Sequence, residues 1–182
     1  MTDPAGAPSS SRITTILDPA FAEALEGLPI EEIRRRRDEA LAEREFQSYL
    51  RRLIQVRQAL LSAERTRRRA GADREPLMER LTSVLSEGPK GGRARGEAIR
   101  VSLVQADIDE AERQLDAILG EAALVSPEDL ADAPLEVTLE SLVEAERRVS
   151  ADRVAVMRVH DRLQEEIKRR YREDPAQIPR QF

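Results

Sequence analysis

The sequence predicts an all-α fold: an elongated antiparallel coiled-coil hairpin of two long helices with short connecting helices. Three observations carry this. Charged residues make up 36% of the 182 and aromatics 3%, with no Trp, so a core of large aromatic anchors gives way to a bundle rich in Ala, Leu, Arg and Glu. Two long stretches, Pro29 to Arg69 and Val137 to Glu173, run without an internal Gly or Pro. In the second, Leu142, Val149, Val156 and Leu163 repeat at a strict seven-residue step, the period of a coiled-coil seam. Mean hydropathy is low, at -0.54, but the charges alternate in sign and the apolar residues are periodic, which argues against wholesale disorder.

The elements follow in order. Residues 1–12 are rich in Pro, Gly, Ala and Ser and read as a disordered tail. Ile13 to Leu28 is a short apolar segment with Asp18-Pro19 as a helix start and Phe21, Leu25 and Leu28 on one small face, fit to dock on its own chain or on a partner. Region 1–28 thus precedes a coiled-coil domain over 29–182. In the first long helix, Pro29 suits the first helical position, and Glu31 and Glu32 complement the positive end of the helix dipole. Its apolar residues include Ile33, Leu41, Phe46, Leu50, Leu53, Ile54, Leu60 and Leu61, spaced by threes, fours and sevens.

A short helix over Arg74–Ser86 and a Gly-rich basic loop, Gly88 to Gly96, are expected next. A third helix is expected from about Ala98 to Glu121, with an extended Val101 to Val104 as the alternative at its start. Ser126-Pro127-Glu128-Asp129 reads as the start of another short helix ending near Ala133-Pro134, since it combines a capping Ser, a first-turn Pro and acids. The last long helix is expected from Val137 to Glu173. Glu146, Arg153, His160 and Ile167 occupy its other seam positions, and polar residues there need partners. The two long stripes are expected to pair in cis, with pairing in trans as a homodimer as the rival.

Composition also excludes. With no Cys and one His, a disulfide framework, a thiol nucleophile, a Cys-ligated metal and a poly-His zinc site all fall away. There is no apolar run of membrane-spanning length and no signal-peptide core, so a cytoplasmic protein with no membrane partner is expected. The blocks Arg34–Arg37 and Arg65–Arg69 are interleaved with acids and net charge is -5, which points to solvated helix faces rather than direct DNA binding. Gly88 to Gly96 lacks the Gly-Lys-Ser/Thr ending of a phosphate loop, and no nucleophile–base pair or metal cluster is visible, so an enzyme is not expected and no catalytic or metal residue is assigned.

The informative pattern is polar. Glu146, Ser150, Arg153 and Asp161 lie at offsets of 0, 4, 7 and 15 on the last helix. At about 100° per residue they fall within roughly 80° of one face, overlapping the seam. Ser48, Arg51 and Gln55 repeat the middle of that pattern on the first long helix.

Such paired stripes resemble the E-x3-S-x2-R-x3-Q-x3-D pattern of the RsiG-type anti-sigma factors of actinobacteria. Ser48-Tyr-Leu-Arg-Arg-Leu-Ile-Gln55, Glu166-Ile-Lys-Arg-Arg-Tyr-Arg-Glu173 and the order of elements from about residue 30 onward are similar too, whereas residues 1–28 contribute nothing. The resemblance implies an anti-sigma factor that sequesters a WhiG-type sigma factor under the control of cyclic di-GMP bound to the stripes. Arg51 and Arg153 would then meet guanine O6/N7 edges or phosphate, and Glu146 and Asp161 the N1-H/N2-H edge, with Ser48, Ser150 and Gln55 in support.

This chain departs from the pattern. Met157 stands where Gln is expected, Arg44 where the first stripe would have Glu, and Ala59 where it would have Asp. Arg44 has a phosphate, Glu43 or Glu45 as prospective partners. Three readings stay open: ligand binding in altered stoichiometry, a homodimer assembled from two copies of the better stripe, or an anti-sigma or adaptor protein that binds a protein partner without nucleotide.

Overall fold

The computed structural model describes residues 11–71 and 103–174. Among these residues the chain is all-α, and its two long helices pack against each other as an antiparallel hairpin. The elements are α1 (Ser11–Leu17), α2 (Ile30–Ala70), α3 (Gln105–Leu119) and α4 (Asp132–Glu173), with 3-10 turns at Pro19–Phe21, Leu25–Gly27 and Gly120–Leu124. The helix expected over 74–86, the basic loop over 88–96 and the first residues of the tail lie outside the described residues.

The backbone explains the boundaries. Pro29 sits just before α2, and its carbonyl accepts from the Glu32 and Ile33 amides at 3.1 and 3.2 Å. Gly71, at φ 61°, follows the last turn in the left-handed region where glycine is favoured. Gly120, at φ 54°, ends α3 the same way. Several expectations need correction. Ser11 and Arg12, expected in the tail, open α1, and Asp18-Pro19 starts a 3-10 turn after that helix and not the helix itself. α3 starts at Gln105 after an extended Val104, not at Ala98. Ser126 to Asp129 forms a turn closed by Asp129 N–H on the Ser126 carbonyl at 2.9 Å, not a helix. And α4 starts at Asp132 rather than Val137. Pro134 does not end a helix there; it lies in the first turn of α4, where its missing N–H would have had no intrahelical partner.

The chain divides into two compact units. Unit one comprises Met1–Ser48 and Val149–Phe182. Its core joins Ile13, Ile16, Phe21 and Leu25 of the N-terminal segment to Ile33 and Ala40 of α2 and to Val156, Leu163 and Ile167 of α4. The apolar segment thus docks on its own chain. Asp18 caps the turn that follows α1, accepting from the Ala20 amide at 2.8 Å. The helices run antiparallel: Arg34 donates to the Tyr171 hydroxyl at 3.0 Å and Arg37 to Gln164 at 3.2 Å, so a step forward on α2 is a step back on α4.

Two arginines fasten the N-terminal segment. Arg36 donates to Glu32 at 2.8 Å and to the Phe21 carbonyl at 2.8 Å, and lies over the Phe21 ring. Arg170 donates to Glu166 at 2.9 Å and to the Leu25 and Leu28 carbonyls at 2.6 Å each. Each forms an acid–arginine–carbonyl bridge. Hydrogen bonds from Arg35 and Arg36 hold the Glu32 carboxyl down at about 2, and those from Arg169 and Arg170 hold Glu166 at about 2, against an ordinary value near 4.5. A depressed folded-state value contributes stability above the unfolded value that is lost as pH falls. Unit one is therefore expected to weaken as pH drops from about 5 towards 2. Glu32→Gln and Glu166→Gln should flatten that acid limb, as read from urea midpoints across pH.

Unit two comprises Tyr49–Arg148. Leu50, Ile54, Leu60 and Leu61 of α2 and Leu135, Leu139, Leu142 and Ala145 of α4 are buried there, with Ala111 and Leu119 of α3. Arg65 reaches Glu136 at 3.2 Å, and Arg68 pairs with Asp132 at 2.6 Å while donating to the Pro127 carbonyl at 3.1 Å. These contacts pin the approach to α4 onto the end of α2, again antiparallel.

Candidate functional site

The seam of α4 follows the seven-residue step: Leu142, Val149, Val156 and Leu163 are all buried. Seam positions keep facing a partner only at 3.5 residues per turn, and that sets where each polar residue of the stripe lands. Glu146 and Arg153 are one step apart and half-buried, and Ser150 flanks them, also half-buried. Asp161 is different. At the coiled-coil period its offset of 15 from Glu146 is about 100°, not the 60° of a straight helix. Its side chain is 66% exposed and bonded only locally, to His160 Nδ1 at 3.1 Å. It does not share the seam with the other three.

In unit two the predicted stripes meet. Arg51 Nε donates to Glu146 Oε1 at 2.7 Å, and Gln55 Nε2 donates to the same oxygen at 3.3 Å. Arg51 has no acid three or four residues away on its own helix, so its carboxylate comes from α4. The pair is part-exposed, and such pairs contribute about 0–1 kcal/mol, so this geometry orients groups more than it stabilises the fold.

In unit one, Ser48 donates its hydroxyl to the Arg44 carbonyl at 2.7 Å, within α2. Arg153 Nε is buried without a hydrogen-bond partner. Arg44 does not take up Glu43 or Glu45; among the described residues its guanidinium makes no ion pair. Glu43 is claimed elsewhere, by Arg12 Nε at 2.5 Å and Gln47 Nε2 at 2.7 Å.

Three polar seam residues of α2 escape a search for apolar periodicity. Glu43 and Glu64 are fully buried and Gln47 is nearly so. Arg67 and Arg68 clasp Glu64 at 2.7 Å each, and this pairing raises both arginines' affinity for their protons. The signal that finds these residues is the strict step Ile33, Ala40, Gln47, Ile54, Leu61, buried throughout, with Glu43, Leu50 and Glu64 at the companion positions.

A separate cleft of about 420 Å³ opens in unit two among Gln58, Ser62, Arg65, Glu136, Leu139, Glu140, Val143 and Glu144. Three carboxylates line it, and its one arginine already pairs with Glu136. That lining repels an anionic ligand. Among the described residues no group of acids, histidines or cysteines is placed to hold a metal ion, and no helix is long and apolar enough to cross a membrane.

Fold and site together define an α-helical hairpin with polar stripes on both long helices. No protein-family model matches the chain, and no curated protein matches it.

Proposed function

We propose that the chain is a regulatory binding protein, an anti-sigma factor that sequesters a WhiG-type sigma factor and is controlled by cyclic di-GMP held on the stripes of α2 and α4. One observation carries the reading: Arg51 and Gln55 of α2 converge on Glu146 of α4, so residues singled out on separate helices share a polar cluster. Arg51 supplies a fork for a guanine edge or phosphate, and Glu146 an acceptor for N1-H and N2-H. The resemblance also gives roles to Ser48, Ser150 and Arg153, which belong to unit one, and to Asp161, which stands off the seam and is the weakest member. In this reading the protein is cytoplasmic, is not an enzyme, and binds neither DNA directly nor a membrane. A homodimer that pairs two copies of the α4 stripe is its alternative assembly.

The second reading, a nucleotide-independent anti-sigma or coiled-coil adaptor, is favoured by the same contact seen from the other side. Arg51 and Glu146 already satisfy each other, so a ligand must displace that pair. Co-purification with a WhiG-type sigma factor, with and without cyclic di-GMP, separates the two. Nucleotide-dependent capture, weakened about tenfold or more by Arg51→Ala, is expected; capture indifferent to nucleotide selects the second reading, and no capture in either condition sinks both.

A further inference from the structure

The first turns of α4 are acidic, and only some of that charge is answered. From Gln114 to Glu146 the chain has nine carboxylates and no Lys or Arg. Asp132, Glu136, Glu140 and Glu144 recur every four residues, which sets them along one side of α4 about 6 Å apart. α2 answers the first two: Arg68 pairs with Asp132, and Arg65 and Arg69 pair with Glu136. It does not answer the next two. Among the described residues Glu144 pairs with Arg147 of its own helix, at 3.0 Å, and Glu140 makes no ion pair.

Glu140 and Glu144 line the unit-two cleft, to which α2 brings the neutral Gln58 and Ser62. The apolar part of the cleft is Leu139 and Val143, and Val143 is 50% exposed. Val137, beside Glu136, is 62% exposed. One exposed valine needs no explanation, but aliphatic surface next to unanswered carboxylates fits an occupant that is aliphatic and cationic at once. The chain already docks such a piece. In unit one, α1 places Ile13 and Ile16 in the core and sets Arg12 on the Glu43 carboxylate of α2 at 2.5 Å. A helix that carries a cation beside aliphatic side chains is thus a ligand that this hairpin accepts.

We infer that the unit-two cleft is a docking groove for a basic amphipathic helix of a partner protein. Lys or Arg residues four apart on that helix match the step from Glu140 to Glu144, and the aliphatic residues beside them cover Leu139 and Val143. No residue of the nucleotide stripes lines the groove, so it stands whether or not cyclic di-GMP binds. It rests on the reading above only in taking the partner to be a protein.

The test is a fluorescence-anisotropy titration of the full chain with a labelled helical peptide that carries Arg at every fourth position beside a leucine stripe, and with a scrambled peptide of the same composition. The striped peptide is expected to bind, and the scrambled one to bind about tenfold or more weakly. Glu140→Gln together with Glu144→Gln should weaken the striped peptide about tenfold. Glu112→Gln together with Glu121→Gln makes the same charge change elsewhere in unit two and should leave binding within about twofold. All four of these residues are exposed, so neither pair of substitutions threatens the fold. Equal losses from the two pairs, or equal binding of the two peptides, would mean that net charge attracts the peptide without the groove, and would overturn the inference. Binding of neither peptide overturns it as well, and leaves the sigma-factor reading to its own co-purification result. Tighter binding once Lys90, Arg93 and Arg95 are replaced by Gln would give the groove to the chain's own basic stretch. A sedimentation mass that doubles with concentration, and stays single in the Glu140→Gln, Glu144→Gln chain, would give it to a second copy. Either result overturns the partner helix.

Discussion

Leu163→Ala is expected to destabilise unit one by about 2–5 kcal/mol, the range for emptying a closed leucine site. Leu163 is fully buried in the cluster that joins Ile13, Ile16, Phe21 and Leu25 to α2 and α4. The lost methyl groups therefore face three separate pieces of chain, and none can collapse into the void without moving another. Hydrogen exchange separates this from a global effect: amides of α1 and the first turns of α2 should lose protection first. Val143→Ala is the control, since Val143 is half exposed and its truncation should shift stability by no more than about 0.5 kcal/mol. An equal loss for both variants would mean that the α4 seam, and not the docked N-terminal segment, sets the cost.

The seam was legible because a seven-residue step leaves little freedom. Once Leu142, Val149, Val156 and Leu163 face a partner, the neighbouring positions of α4 are fixed, and each of the four is buried. The ends of α2 were legible for local reasons, with Pro29 before it and Gly71 after it. The start of α4 was not. Ser126-Pro127 has the fuller local start signature yet makes a turn, while the helix opens at Asp132, where Arg68 bonds both the Pro127 carbonyl and the Asp132 carboxylate.

The site was half legible for a related reason. Arg51, Gln55 and Glu146 come together as their spacing suggests. Asp161 stands off the seam because 15 residues at the seven-residue period turn it about 40° further than a straight helix does. Glu43, Gln47 and Glu64 were hidden by the rule that charged residues lie outside unless paired. Their partners come from neighbouring turns and, for Glu43, from α1, a contact that no single-helix pattern contains.

That contact makes the second large prediction. Arg12 is the cation set on the buried Glu43 carboxylate, at 2.5 Å, and its guanidinium lies 5.6 Å from the Phe46 ring centre. Removing one partner of a buried pair leaves an uncompensated charge and costs about 3–5 kcal/mol when both sides are sealed. Here Arg12 is 32% exposed and Gln47 still donates to Glu43, so Arg12→Ala is expected at the low end, about 2–3 kcal/mol. Glu43→Leu is expected to cost about 1–3 kcal/mol by itself, because it takes the acceptor from the buried Gln47 amide. In the Glu43→Leu background, Arg12→Ala then loses only the ring contact, worth about 0.5–1 kcal/mol. The difference between the two costs of Arg12→Ala is the coupling that a double-mutant cycle in urea would read. If Arg12→Ala costs the same in both backgrounds, α1 is held by its apolar face alone and the ion pair is incidental.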